Sequence, residues 1–275
     1  MTQSERLDYL LDEFKMDSLE YKNLKTSNVA EDKQALLRSL MNIRMPRAMD
    51  AEVLKVQEAY LKERAVEKGI VRLCDIQTVR EEFNSTHPFS DKLSIWQGDI
   101  TRLALGAIVN AANSQMLGCF VPMHTCIDNC IHTFAGIELR EECCRYMNRR
   151  RAEYGSDYEE PTGGAVLTAG YNLPAEHVIH TVGPIVHSRL TDALRSDLAS
   201  CYQSVLQCCV ENGIRSIAFC CISTGVFRFP NGEAANIAVD TVTDFLRGRD
   251  DCFDRVIFNV FGDKDKKIYQ GLFAL

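Results

Sequence analysis

Cys119, His124 and Cys126 fall within eight residues, in Gly118-Cys119-Phe120-Val121-Pro122-Met123-His124-Thr125-Cys126. Thiolate and imidazole both suit zinc. A set of three protein ligands leaves a fourth position for water or substrate, the pattern of a catalytic rather than a structural site. Cys130 and His132 follow closely, and either would close the set into a structural one. The spacing matches no standard finger, so the same residues also read as small apolar members of a core helix. Asp128 is the nearest acid to this loop. It reads as a partner to the metal site or a base, and equally as a first-turn acid favoured by the helix dipole.

Three further loops hold residues able to contact a ligand. Asn113 stands just past the run Ile108-Val109-Asn110-Ala111-Ala112. Its amide offers both a donor and an acceptor to a ligand hydroxyl, or it turns the chain. Ser223-Thr224-Gly225-Val226-Phe227 follows the run Ile217–Cys221 and leads toward a helix. Backbone N–H groups in such a small-residue loop can cradle phosphate oxygens, with Gly225 allowing close approach and Phe227 supplying an apolar wall. An ordinary strand-to-helix turn has the same composition. In Gln97-Gly98-Asp99-Ile100-Thr101, the Asp99 carboxylate either accepts from an exocyclic amine or caps the next helix. His132, His180 and His187 read first as structural histidines.

These loops need a scaffold that brings them together. Short apolar runs at Leu93–Trp96, Ala107–Ala111, Val166–Ala169, His177–Thr181, Ser216–Cys221 and Val256–Val260 read as strands. Helical stretches at Ile127–Phe134, Gly136–Met147, Thr191–Asn212 and Ala234–Arg247 alternate with them. Such alternation predicts an α/β fold of three layers, with a mostly parallel sheet between helices. Ligands of such sheets bind outside the carboxyl ends of the strands, where Asn113 and Ser223 are expected. The charged run Asn148–Glu160 reads as a solvated loop. Before the sheet, Leu7, Leu10, Leu11 and Phe14 make one helical stripe. Leu36, Leu37, Leu40 and Met41 make a second. Met49, Val53, Val56 and Tyr60 make a third, ending near Gly69. This first quarter holds no chemical constellation and reads as a helical cap on the larger core.

The 275 residues include 31 Lys plus Arg against 38 Asp plus Glu, a formal net charge of −7. That balance argues against a general nucleic-acid binder, which needs a strong excess of Lys and Arg. A 46% hydrophobic content excludes a disordered chain. No run approaches the ~18 apolar residues of a membrane span, and the first residues lack the layout of a signal peptide. A cytoplasmic location is therefore expected, with the twelve cysteines reduced.

Taken in order, five stretches resemble a macrodomain, the ADP-ribose-binding fold. They are Gln97–Thr101, Ile108–Asn113, Thr162–Pro174, Ile179–Pro184 and Ser223–Phe227. The usual glycine-rich phosphate loop after the asparagine is replaced here by Cys119–Cys126. That replacement resembles the zinc-containing microbial branch, whose members remove ADP-ribose from proteins. Leu36–Arg44, continuing to Gly69-Ile70, resembles that branch's helical extension. The implied division is an extension over 1–90 and a macrodomain over 91–275.

The resemblance implies that Asp99 accepts from the adenine amino group, with the Ile100 backbone beside it. Ser223, Thr224, Gly225, Val226 and Phe227 would surround the diphosphate, and Asn113 would hold the distal ribose. Cys119, His124 and Cys126 would bind Zn²⁺ next to that ribose. Arg228 and Phe229 stand where the family commonly has glycine and tyrosine. The implied activity is zinc-dependent hydrolysis of the ADP-ribosyl–protein bond, with Asn113 and Asp128 as candidate catalytic residues. The implied partners are ADP-ribose and an ADP-ribosylated protein, a lipoylated carrier among the candidates. Two rivals share the same cleft: a reader that binds ADP-ribose without cleaving it, and an O-acetyl-ADP-ribose deacetylase.

Overall fold

The structure is a computed structural model and describes residues 1–274. Three helices come first: α1 (Gln3–Met16), α2 (Ala30–Ile43) and α3 (Ala51–Lys68). Thr2 and Glu5 form a reciprocal capping box at the start of α1. Asp50 caps α3, which stops at Gly69 in a left-handed conformation with φ +81. The three apolar stripes face one another, burying Leu7, Leu10, Leu11, Phe14, Leu37, Leu40, Met41, Val53, Val56, Tyr60 and Leu61 in a cluster of their own. Ile137, from a later helix, plugs the same cluster.

The remainder runs β1 (Val71–Arg72), α4 (Val79–Phe83), β2 (Leu93–Gln97), β3 (Leu103–Ala104), β4 (Ala107–Ala112), α5 (Ile127–Ala135) and α6 (Ile137–Tyr154). It continues with β5 (Val166–Ala169), β6 (His177–Val182), α7 (Asp192–Glu211), β7 (Ser216–Phe219), α8 (Asn231–Leu246), β8 (Arg255–Val260) and α9 (Asp263–Phe273). β1 and β3 form a small parallel pair. The main sheet has the order β2-β8-β7-β4-β6-β5. All its pairings are parallel except β5 with β6. β4 and β6 are almost wholly buried, as expected of central parallel strands covered on both faces. Ile76 and Val79 already belong to this core, so the chain joins the larger unit soon after α3.

The chain leaves β4 toward β6 on one side, then crosses back to β7 on the other. The two branches part there, and the β4–β7 ladder holds only Ala107↔Ile217 and Ile108↔Ala218. The β4–β6 ladder, by contrast, continues to Ala112↔Val182. The two ladders therefore diverge beyond the carboxyl ends of β4 and β7, the usual ligand position of such sheets.

Two expectations are corrected. Residues 148–154 are not a loop: α6 continues to Tyr154. Pairs one turn apart hold this polar stretch helical, with Arg150 bonded to Glu153 and its guanidinium over the Tyr154 ring at 4.4 Å. The strand expected to reach Cys221 ends at Phe219. Beyond it, Thr224 turns back to bond the Cys221 carbonyl from both N–H and Oγ1.

Candidate active site

The loop from Asn113 to Cys126 leaves the carboxyl end of β4 and returns into α5. Cys119 Sγ and His124 Nδ1 are 3.5 Å apart. With Cys126 Sγ, these donor atoms all lie within 4.8 Å of one another. Zinc bonds of about 2.3 Å to sulfur and 2.0–2.1 Å to nitrogen, at tetrahedral angles, give an S···N edge of about 3.6 Å. The residues present therefore fit a zinc ion in both donor type and spacing. Cys126 is also the N-cap of α5, its Sγ accepting the Asn129 N–H at 3.4 Å. Without a cation, burial pushes the Cys126 thiol up to about 12, and the neighbouring Cys119 adds to the effect. A bound dication reverses that preference, because it favours thiolates directly.

Neither proposed fourth ligand joins this group. Cys130 Sγ faces Arg38 Nη2 at 3.7 Å. His132 belongs to a separate, wholly buried group with Cys143 and His180. Of the remaining histidines, His180 is tied between Asn110 Nδ2 and Thr168 Oγ1, each at 3.0 Å, which is a structural role. Burial drives its imidazole down to about 3.

Asn113 takes the turn-forming role, one of the two its sequence context allows. Its Oδ1 accepts the Gln115 N–H, closing a turn. Its Nδ2 donates to Asp128 Oδ2 at 3.2 Å and to the Gly118 carbonyl at 3.3 Å. The Gly118 bond places the amide beside the cysteine loop. Asp128 is in the first turn of α5, is buried, and also accepts from Asn110 Nδ2 at 2.8 Å. Burial raises its carboxyl to about 6, against the pull of Asn110, Arg140 and Asn113.

Asp99 caps the short turn Ile100–Arg102 by accepting from the N–H and Oγ1 of Thr101. Its other oxygen pairs with Lys68 Nζ, from the end of α3, at 2.6 Å. Burial works to raise the Asp99 carboxyl, but hydrogen bonds from Lys68 and Thr101 outweigh it and hold it below the usual carboxylate value. Ile100 is buried.

Beyond β7, Ser223 turns at φ +64 and Arg228 at φ +60. Between them, no oxygen among the described residues accepts the N–H of Gly225, Val226 or Phe227. Those three groups are free to receive an anion. The Phe227 carbonyl accepts the Val186 N–H, tying this loop to the one after β6. At Gly183 the two loops approach so closely that a Cβ would meet Ser223 Oγ at 2.1 Å. Arg228 is exposed.

Four residues of the site were not foreseen. Arg38 donates to the His124 carbonyl, and Asn129 holds the Cys119 and Val121 carbonyls. Lys68 pairs with Asp99, and Phe261 exposes its ring just past β8. Phe261 alone carries a sequence signal, as an aromatic at the carboxyl end of a strand. The other three depend on contacts between distant segments.

The arrangement defines a three-layer α/β protein whose candidate site lies at the switch point of its sheet. Residues 109–238 match the Macro domain family. A Treponema medium protein named protein-ADP-ribose hydrolase is 44% identical over 274 residues, covering 100% of both chains. A Staphylococcus aureus protein of the same name is 40% identical over 269 residues, covering 98% of this chain and 95% of its own. The crystal structure of a Trypanosoma brucei macrodomain in complex with ADP-ribose matches with TM-score 0.64 and 29% identity. That match covers 83% of this chain and 92% of the other. The chain belongs to the macrodomain family.

Proposed function

We propose that this chain is a zinc-dependent protein-ADP-ribose hydrolase, adding water across the bond between ADP-ribose and an acceptor side chain. The observation that carries the zinc part is the convergence of Cys119, His124 and Cys126 next to Asn113 at the cleft. Support for the activity comes from the relatives of that name, which match through the helical extension as well as the sheet.

In this reading ADP-ribose lies along the carboxyl edge of the sheet. The adenine sits at Asp99, whose ionised carboxylate accepts from the amino group. The 80% exposed ring of Phe261 offers a flat face nearby, since Val260 pairs with Gln97 across β8 and β2. The diphosphate lies over the free N–H groups of Gly225, Val226 and Phe227, a concave anion site of fixed dipoles. The distal ribose then reaches Asn113. Asp128 holds both inward amides, Asn110 and Asn113, so that the Asn113 side chain cannot rotate away. It is a positioning residue for the catalytic Asn113. When bound by Cys119, His124 and Cys126, zinc supplies Lewis acidity beside that ribose.

The test uses metal-analysed protein and mono-ADP-ribosylated acceptors, including an acidic-side-chain ester and a lipoylated carrier. The expected result is about one zinc per chain, with release of ADP-ribose that stops on chelation and returns with zinc. Tight ADP-ribose binding without release from any linkage assigns the chain as a reader. Release that survives complete zinc removal keeps the hydrolase and makes the cysteine loop structural.

A further inference from the structure

The helical extension reaches into the cysteine loop through Arg38 on α2. Its Nη2 donates to the His124 carbonyl at 2.7 Å and to Asn129 Oδ1 at 2.8 Å. With its oxygen so engaged, the Asn129 amide turns its nitrogen to the carbonyls of Cys119, at 3.2 Å, and Val121, at 3.0 Å. The Asn129 backbone N–H completes the set at Cys126 Sγ. Asn129 is fully buried. All three donor residues are thus fixed by one arginine and one asparagine, on helices that belong to different hydrophobic clusters.

The loop needs such fixing. It has no regular structure of its own between Ser114 and Thr125, and Met123 adopts φ +58. A loop held only at its ends would have to order around the ion, and that entropy would weaken binding. Groups that orient metal ligands from outside typically change affinity by 10–100-fold when removed. Asn42, also on α2, adds a further hold by accepting the Met123 N–H at 3.1 Å.

We propose that Arg38 and Asn129 form a clamp that presets the Cys119–His124–Cys126 triangle, making the helical extension part of the metal site. This inference rests on the zinc reading above.

The experiment compares full-length wild type, Arg38→Gln and Asn129→Asp. The Asp variant is isosteric, loses both amide donors and keeps an acceptor for Arg38, so it carries the comparison if the Gln variant fails to fold. Each metal-free protein is titrated with zinc against a chromophoric chelator, then with cobalt while its d–d absorption is recorded. Melting temperature and ADP-ribose affinity of the metal-free forms serve as controls for the fold and the cleft. The expected result is roughly 10–100-fold weaker zinc binding and a changed cobalt spectrum, with both controls near wild type. Wild-type zinc affinity and cobalt spectrum in either folded variant overturn the clamp. A Cys119→Ser/Cys126→Ser protein separates the two readings. If it binds zinc as well as wild type, the metal site itself is wrong and the clamp falls with it.

Discussion

At the scale of single residues, the site is built from groups that serve the fold and the cleft together. Asp99 caps a turn and pairs with Lys68, and in the proposed function it is the acceptor for adenine. Replacing it with Ala removes a charged acceptor worth about 1.5–3 kcal/mol, so ADP-ribose affinity should fall roughly 10–100-fold by calorimetry. An unchanged affinity would place adenine elsewhere. His180 contributes to the acid limit of stability, as does His132, whose imidazole is also driven well down by burial. The His180 proton binds near the ordinary histidine value in the unfolded chain but only at about 3 in the native one. The unfolded state therefore takes up the proton first as pH falls. This contribution is full above about 6.5 and declines toward 3, with about 2 kcal/mol lost between pH 7 and 5. Denaturant unfolding at those two pH values should show a smaller loss in a folded His180→Gln protein; an equal loss would assign the acid sensitivity to other groups. Residue types alone brought out Cys119, His124 and Cys126 as a candidate set while leaving a cysteine-rich core helix as the other reading; the fold brings their donor atoms within 4.8 Å of one another. Arg38 was invisible, since its partner His124 is 86 positions away.

At the scale of elements, the strands were legible because central parallel strands are continuous apolar runs, and those runs met the structure within a residue or two. The polar end of α6 was not, because a helix held by Arg and Glu pairs has no apolar stripe to read. α9 likewise begins with the charged run Asp263-Lys264-Asp265-Lys266-Lys267, and only its later Tyr269 and Phe273 are buried. Loop contacts were the least legible of all. Gly183 shows why: its lack of a side chain matters only because Ser223 lies against it from another loop. Gly183→Val should therefore displace the Ser223 loop and weaken ADP-ribose binding at least tenfold, with the far-UV spectrum preserved. Wild-type affinity would show that the loop yields without cost. In the extension, Leu10 is fully buried among α1, α2 and α3. Leu10→Ala should cost about 2–5 kcal/mol, read by denaturant unfolding.

At the scale of the whole molecule, two hydrophobic clusters flank the cysteine loop, and neither includes Cys119, His124 or Cys126. Under the zinc reading, the fold is expected to stand without the metal. Chelation is expected to leave the far-UV spectrum intact and lower the melting temperature by only several degrees, the loss of a ligand that binds the native state alone. Collapse of the spectrum on chelation would instead mark a site on which folding depends. The sequence predicted two units. It did not show the polar contacts at their junction, among them those of Arg38, Asn42, Lys68 and Arg140, beside the apolar plug of Ile137.

Arg140 gives that junction a direction in time. From α6 its Nη1 donates to the carbonyls of Met41, Asn42 and Arg44 at the end of α2, and Nε to the Leu117 carbonyl. It lies 99 positions after Met41. On a ribosome adding roughly 5–20 residues per second, α2 waits roughly 5–20 s for the side chain that finishes it. The three-helix unit thus emerges early and half-complete, and the arrival of α6 seals it while closing the floor of the cysteine loop. A nascent chain stopped before residue 140 should leave α2 open to protease near Ile43, and one extended past α6 should protect it.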